Sequence, residues 1–207
     1  MEVTLVDHMG SDLSVVNAAR VSFAKSHEEF KEKADTKLIY YLAKHNHWSP
    51  FGHASMQFHI KAPIFVARQL VKHQVGLVWN EVSRRYVDDE PDFYNPIKWR
   101  LSAENKKQGS SEEEIEFDVS SVVETCKKTY EEMLEKDIAP EMARMILPQS
   151  MMTEWYWSGT LYAFARVCNL RCKPDAQKET QIIADKIDEQ SAQLFPVSWK
   201  ALREDKV

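Results

Sequence analysis

The sequence predicts an α+β fold in which an antiparallel sheet packs with several helices in a single domain, and three observations carry that prediction. Residues 53–61 alternate almost strictly, with Ala54, Met56, Phe58 and Ile60 on one face and His53, Ser55, Gln57, His59 and Lys61 on the other. That is the pattern of a strand with one covered face. Other stretches, among them 28–44 and the run after Pro174, repeat apolar residues at helical spacing. With 207 residues, 43% of them hydrophobic, the chain is long enough to bury one substantial core.

Taken in order, EVTLVD (2–7) reads as a first strand, and Ser11 suits the N-cap of a helix through Leu13, Val16 and Ala19. The segment 28–44 is a second helix, with Phe30, Leu38, Ile39 and Leu42 in phase. HNHWSPFG, with Pro50 and Gly52, reads as a loop. After the strand at 53–61, Pro63 falls where a first helical residue belongs, so IFVARQLVKH is a helix whose buried stripe is Ile64, Ala67 and Val71. Gln69, Lys72 and His73 share another side of it, as three- and four-residue spacing requires. Asn80 to Arg85 reads as extended. The polar tract 106–112 is expected to be an exposed loop leading into a helix capped by Ser110 or Ser111 and running to about Lys136. A short helix follows Pro140 and stops at Pro148, TEWYW is a strand, SGTLYAFARVCNL a helix, and Pro174 opens a long helix to about Leu194.

Composition excludes several functions. A net charge of -5 argues against a dedicated nucleic-acid binder. No apolar stretch approaches a membrane span, and the start MEVTLVDHMGSDLS has neither a basic leader nor a small-residue cleavage site, so a cytoplasmic location is expected. The odd cysteines Cys126, Cys168 and Cys172 give no disulfide framework. Cys168 and Cys172 lie four apart, but buried free cysteine usually serves as a small apolar filler. The five glycines form neither a GxGxxG nor a Walker loop, so any phosphate must be held by side chains.

Two groups of residues could carry chemistry. Six of seven histidines fall between 27 and 73, and His45, His47, His53 and His59 could offer imidazoles to a metal. The window 45–73 holds no carboxylate and no HExxH, which favours ordinary polar histidines. The second group is Arg68, Lys72, Arg85, Arg144, Arg166 and Arg171, several of them set among apolar residues, together with the run NEVSRR. Guanidinium forks suit a phosphate, and the carboxamide and carboxylate of Asn80 and Glu81 suit a base or ribose edge. The alternative for each arginine is a solvated helix face.

With these residues the chain resembles the flavin-dependent thymidylate synthases, which methylate dUMP without a cysteine nucleophile. DLSVVNAARVSF, HNHWSPFGH, FHIKAPIFVARQ, NEVSRRY, ARMILP and NLR stand in the family's order. The family signature is Arg-His-Arg, seven residues and a serine. Here it reads Lys72-His73-Gln74 with eight residues before Ser83, so a fork is lost at 72 and a cation at 74. The resemblance implies that Gln69, Lys72, Glu81, Ser83, Arg84, Arg85, Arg144 and Arg171 contact dUMP, some from a neighbouring subunit. It implies that FAD is met by Ser22, Ser49, Lys72, His73, Gln74, Asn80 and Glu81. Thr160, Tyr162 and Arg166 stand where asparagine and arginine contacts to flavin are expected, and His47 lies near the folate and the flavin ring. Arg171 is the implied catalytic group, at the N3 and O4 edge of uracil. A homotetramer with shared sites, methylenetetrahydrofolate as carbon donor and NADPH as reductant complete the expectation. The competing readings are a metal-dependent nucleotide phosphohydrolase built on the histidine cluster and an inactive flavin- or nucleotide-binding protein.

Overall fold

The computed structural model describes residues 1–87, 89–104 and 109–203. Four strands form one antiparallel sheet: β1 (Glu2–Met9), β2 (Ser55–Pro63), β6 (Met152–Thr160) and β3 (Leu77–Glu81), in the spatial order β1-β2-β6-β3. Two short strands, β4 (Lys98–Arg100) and β5 (Glu114–Glu116), pair apart from it. The helices are α1 (Asp12–Arg20), α2 (Glu32–Lys44), α3 (Ile64–Leu70), α4 (Ser120–Glu135), α5 (Pro140–Ala143), α6 (Leu161–Arg171), α7 (Lys178–Leu194) and α8 (Pro196–Arg203). The α+β class and the antiparallel sheet stand as expected, and the elements close on one core.

The alternation of β2 is realised as read. Met56, Phe58 and Ile60 are buried beside Trp155 and Trp157 of β6, and Phe164 of α6 meets Phe58 and Trp157 edge-on at 5.1 and 5.3 Å. The opposite face carries half-exposed polar pairs in register, Gln57 with Ser158 and His59 with Tyr156. Helix α8 packs on the core because Asp12, at the start of α1, accepts the backbone N–H groups of Val197 and Ser198 at 3.0 and 2.8 Å. These are orphan donors at a helix start, satisfied by a carboxylate from the other end of the chain.

Several boundaries differ from expectation. Pro63 is the N-cap of α3, with extended backbone, and the helix stops at Leu70. Its buried stripe is Val66, Ala67 and Leu70; Ile64 and Val71 are only half-buried. Helix α2 starts at Glu32 because Asp35 draws the preceding turn inward, accepting from Lys31 N–H at 2.8 Å, Arg20 at 2.9 Å and the His27 ring at 2.9 Å. No helix starts at Ser110: that stretch leads into β5, and α4 begins at Ser120 behind Asp118, whose carboxylate accepts the Ser120 N–H at 2.9 Å. Of the expected exposed loop 106–112, residues 106–108 lie outside the described residues, and Gly109 and Glu112 are exposed. Strand β6 continues through Ser158 and Gly159, so α6 opens at Leu161, and α7 opens at Lys178. Among the described residues no helix is long and apolar enough to cross a membrane.

Candidate active site

The residues singled out above gather in three places. The first is where the end of α3 meets the end of α6. Arg171, the last residue of α6, donates its Nε hydrogen to His73 Nε2 at 3.0 Å. His73 is half-buried, and burial, then the cations Arg171 and Arg166, hold its pKa below the ordinary 6.5. The ring is therefore neutral near pH 7, with Nε2 free to accept and the proton on Nδ1. One turn back on α3, Gln69 is held from both ends: its Nε2 donates to Gln177 Oε1, and its Oε1 accepts from the Thr180 hydroxyl at 3.2 Å. Lys72, Gln74 and Arg166 are exposed around this cluster.

The second place is the far end of β3. Glu81 accepts from the Thr153 hydroxyl at 2.8 Å and from Trp79 Nε1 at 3.1 Å, and Trp79 is itself stacked on Trp155 at 4.3 Å. The chain then leaves the sheet. The expected extended edge to Arg85 is instead a turn closed by Tyr86 N–H on the Ser83 carbonyl at 3.0 Å. Within it the Ser83 hydroxyl accepts the Arg85 Nε hydrogen at 3.1 Å, Arg85 lies 5.0 Å from the centre of the Tyr86 ring, and Arg84 donates to the Asp89 carbonyl. Glu81, Arg84 and Arg144 line a common cavity of about 340 Å³ with Val82, Thr153 and Glu154. Because strand side chains alternate, Asn80 faces the other way, in register with Tyr156 on the half-exposed face.

The third place is the loop around Ser49–His53, a 3-10 turn anchored by buried Pro50 and Phe51. Ser49 and His47 are exposed on it, as is Ser22 on the 3-10 turn after α1. Trp48, 57% exposed, lies 6.2 Å from the ring of Tyr162. Thr160 serves a structural task here: its hydroxyl caps α6 by accepting the Ala163 N–H at 3.2 Å. The segment between His73 and Ser83 opens with a tight turn in which Leu77 N–H bonds the Gln74 carbonyl at 3.1 Å and Gly76 takes φ +78°.

One chain does not bring all of these together. Leu77 pairs with Gly159 at one end of β3 and Glu81 with Trp155 at the other, so the strand carries the two arginine clusters' chain segments apart by about 13 Å. The histidines do not converge either. His59 pairs with Glu154 at 3.3 Å on β2, whereas the His45 and His47 rings lie 6.3 Å from each other against Tyr41, one tilted at 4.3 Å and one edge-on at 6.0 Å. Among the described residues the one set of three potential metal ligands is Cys168, Cys172 and Asp188, and Asp188 is already taken by Trp199 and Arg203. The phosphohydrolase reading loses its ligand set.

Sequence reasoning missed Gln177, Thr180, Glu179 and Arg100, which support Gln69. The signal was present: Glu179 and Thr180 are polar yet stand in phase with Ile183, Ala184 and Ile187 on the buried side of α7. Glu179 pairs with Arg100.

Comparison with known proteins gives the family and the fold. The family model described as thymidylate synthase complementing protein matches residues 4–197. A flavin-dependent thymidylate synthase of Thermus thermophilus is 40% identical over 206 residues, spanning 98% of this chain and 75% of the relative. One from Kosmotoga olearia is 38% identical, spanning 96% and 88%. Among solved structures, the UMP/dUMP methylase PolB from Streptomyces cacaoi, bound with 5-Br dUMP, superposes with a TM-score of 0.85 at 31% identity, covering 97% of this chain and 93% of that one.

Proposed function

The chain belongs to the flavin-dependent thymidylate synthases, and from that premise we propose that it methylates dUMP to dTMP, with methylenetetrahydrofolate as carbon donor and NADPH as reductant. The observation that carries this reading is the Arg171–His73 pair with Gln69 one turn away. It joins a permanent cation, a neutral imidazole and a fixed carboxamide at one surface, suited to the edge of a uracil ring. A guanidinium stays protonated at any working pH, so Arg171 against N3 and O4 stabilises the negative charge that develops as C5 becomes nucleophilic. Gln69 fixes the nucleotide, and Lys72 adds a cation beside it.

Ser83, Arg84, Arg85 and Arg144 are the phosphate-binding groups, with Glu81 at their border. They lie at the far end of β3 from Arg171 of the same chain, which supports a site completed by a second subunit and hence the homotetramer. Remote phosphate binding then orients the base. For FAD, the exposed hydrogen-bonding heads of Lys72, Gln74, Asn80, Ser22 and Ser49 and the aromatic pair Trp48–Tyr162, tilted at 42°, suit a large heteroaromatic cofactor. Bound FAD supplies hydride transfer, chemistry no side chain here provides. Arg166, exposed on the next turn of α6 before Arg171, supplies a cation on the side where Gln74 gives none, and His47 borders the folate. Thr160 contributes through its cap on α6. The three free thiols agree with a reducing, cytoplasmic setting.

The test is direct. Purified protein is expected to carry flavin absorption, to oxidise NADPH, and to release dTMP only when given both dUMP and methylenetetrahydrofolate. A yellow protein inert under those conditions would favour a flavin- or nucleotide-binding role. Activity abolished by chelators and restored by a metal would return the phosphohydrolase reading.

A further inference from the structure

We infer that Glu179 is a positioning residue for substrate binding: acting through Gln177, it fixes the orientation of the Gln69 carboxamide that meets the nucleotide. This rests on the reading of Gln69 as a dUMP contact. A carboxamide has a donor end and an acceptor end of nearly equal size, so a half-turn exchanges them at almost no steric cost. Something in the surroundings must choose, and the hydrogen bonds around Gln69 allow one choice.

Glu179 is only 4% exposed. Burial, the largest single influence, raises its pKa, but the hydrogen bond and charge of Arg100, its own backbone N–H and the hydrogen bond from Gln177 together outweigh it and hold the carboxyl below its ordinary range. Glu179 is thus an ionised acceptor with no hydrogen to give. Its Oε2 faces Gln177 Nε2 at 3.1 Å. A half-turn of Gln177 would set carbonyl oxygen against carboxylate in a buried place, so Gln177 must turn its amino end to Glu179 and its oxygen away. That oxygen receives Gln69 Nε2, and Gln69 in turn presents Oε1 to the Thr180 hydroxyl at 3.2 Å. Thr180 is fully buried, but its hydroxyl hydrogen can rotate to suit either end of an amide, so it follows the order instead of setting it. The polarity begins at the one member that cannot reverse.

The far end of the relay is fastened to another part of the chain. Arg100, on β4, holds Glu179 through one nitrogen and the Ser110 hydroxyl through Nε at 2.8 Å, and the Tyr94 hydroxyl lies 3.5 Å from the same carboxylate. After these bonds Gln69 retains one amide hydrogen and one lone pair of Oε1. Those are what the substrate meets, in a fixed sense.

The experiment uses the FAD-loaded protein and the variants Glu179→Gln, Gln177→Met and Gln69→Ala, with each of the first two also made in the Gln69→Ala background. Calorimetric titration gives the dUMP Kd, steady-state assay gives KM and kcat, and thermal unfolding confirms the fold. Glu179→Gln keeps the shape but gives the relay a reversible end. It is expected to raise the dUMP Kd and KM about 5- to 10-fold, the size of one mispaired buried amide, with kcat held within about twofold. Gln177→Met leaves the Arg100–Glu179 pair in place and should match it, which keeps the test sound if Glu179→Gln folds poorly. In the Gln69→Ala background neither change should add a further loss, a non-additivity that a merely structural role does not produce. Additive losses, or an unchanged Kd in both relay variants while Gln69→Ala weakens binding, would overturn the relay alone. Normal dUMP binding by Gln69→Ala would overturn both the relay and the reading of Gln69.

Discussion

Arg171 and His73 are joined by a single hydrogen bond of 3.0 Å from Nε to Nε2, tying the last residue of α6 to the turn that follows α3. The bond uses Nε, on the side of the guanidinium next to its stem, and leaves the two terminal amino groups out of it. A guanidinium held at Nε is oriented before any ligand arrives, so in the proposed function the neutral imidazole is the support and the arginine the working group.

Removing the working group should therefore cost chemistry more than cofactor. Arg171→Ala is expected to lower kcat/KM for dUMP by about two to three orders of magnitude, the scale for losing one preorganised group that stabilises developing charge. Flavin content per protein should be unchanged. Arg171→Lys keeps a charge but loses both the plane and the Nε contact, so it should recover little. Measured flavin absorption beside steady-state rates checks both, and equal loss of flavin and activity would assign Arg171 to cofactor binding.

The same bond sets a pH dependence. Burial, then Arg171 and Arg166, keep the folded-state pKa of His73 below its unfolded value of 6.5. The unfolded chain takes up this proton first as pH falls, so the stability contributed by the neutral ring is complete above about pH 6.5. It is lost as pH drops from there to the folded pKa. Thermal melts of wild type and His73→Gln from about pH 5 to about pH 8 should show the wild type losing relative stability on the acid side. A difference between the two that is flat across that range would remove His73 as its source.

The buried cysteine is not available as a nucleophile. Cys168 is fully buried, and burial pushes its thiol well up; its sulfur lies 3.6 Å from the Ala184 carbonyl. Replacing Cys126, Cys168 and Cys172 together by serine should leave turnover per folded molecule within about threefold. The fold should weaken by about 1–2 kcal/mol, chiefly from burying a hydroxyl at 168. A triple variant that melts normally but is inactive would sink the nucleophile-free mechanism.

How far the sequence could be read follows from the range of the forces involved. The alternation of β2 and the in-phase apolar residues of α7 are local signals, and both elements form there, with boundaries moved by two residues in β2 and four at the start of α7. The start of α2, the end of β6 and the fate of 110–119 differ because partners outside the local periodic pattern decide them: Asp35 gathers Lys31, His27 and Arg20, Ser158 is claimed by Gln57 from the neighbouring strand at 2.8 Å, and 114–116 pair with 98–100. The site followed the same division. Of the one helical side expected for Gln69, Lys72 and His73, only Gln69 lies on α3, which stops at Leu70; Gln69 bonds to Gln177 and Thr180, whereas His73 in the following turn bonds to Arg171 of α6. The supports of Gln69 come from 108 and 111 residues away and had no local mark beyond polar heads on an apolar face.

Gly159 gives a last prediction, about space and not conformation. It sits in β6 opposite Leu77, at the point where β3 joins the sheet. A Cβ there would lie 2.5 Å from the Gly76 carbonyl oxygen and would collide with the Leu77 side chain. Backbone cannot yield to such an overlap by rotating, so Gly159→Ala must push the start of β3 away from β6. The expected cost is about 1–3 kcal/mol, as for other forced insertions into packed structure. The displacement has a direction as well. It acts on the Gln74–Leu77 turn, and through it on His73 and the Arg171 bond, so Gly159→Ala should weaken dUMP binding even at temperatures where the protein remains folded. Gly76→Ala offers the comparison: it meets Ala163 Cβ at 3.0 Å and also forces φ +78° on a residue with a side chain, so it should cost at least as much stability. Melting curves together with dUMP titrations of both variants test this, and a Gly159→Ala protein with normal stability and affinity would show that β3 does not hold the turn in place.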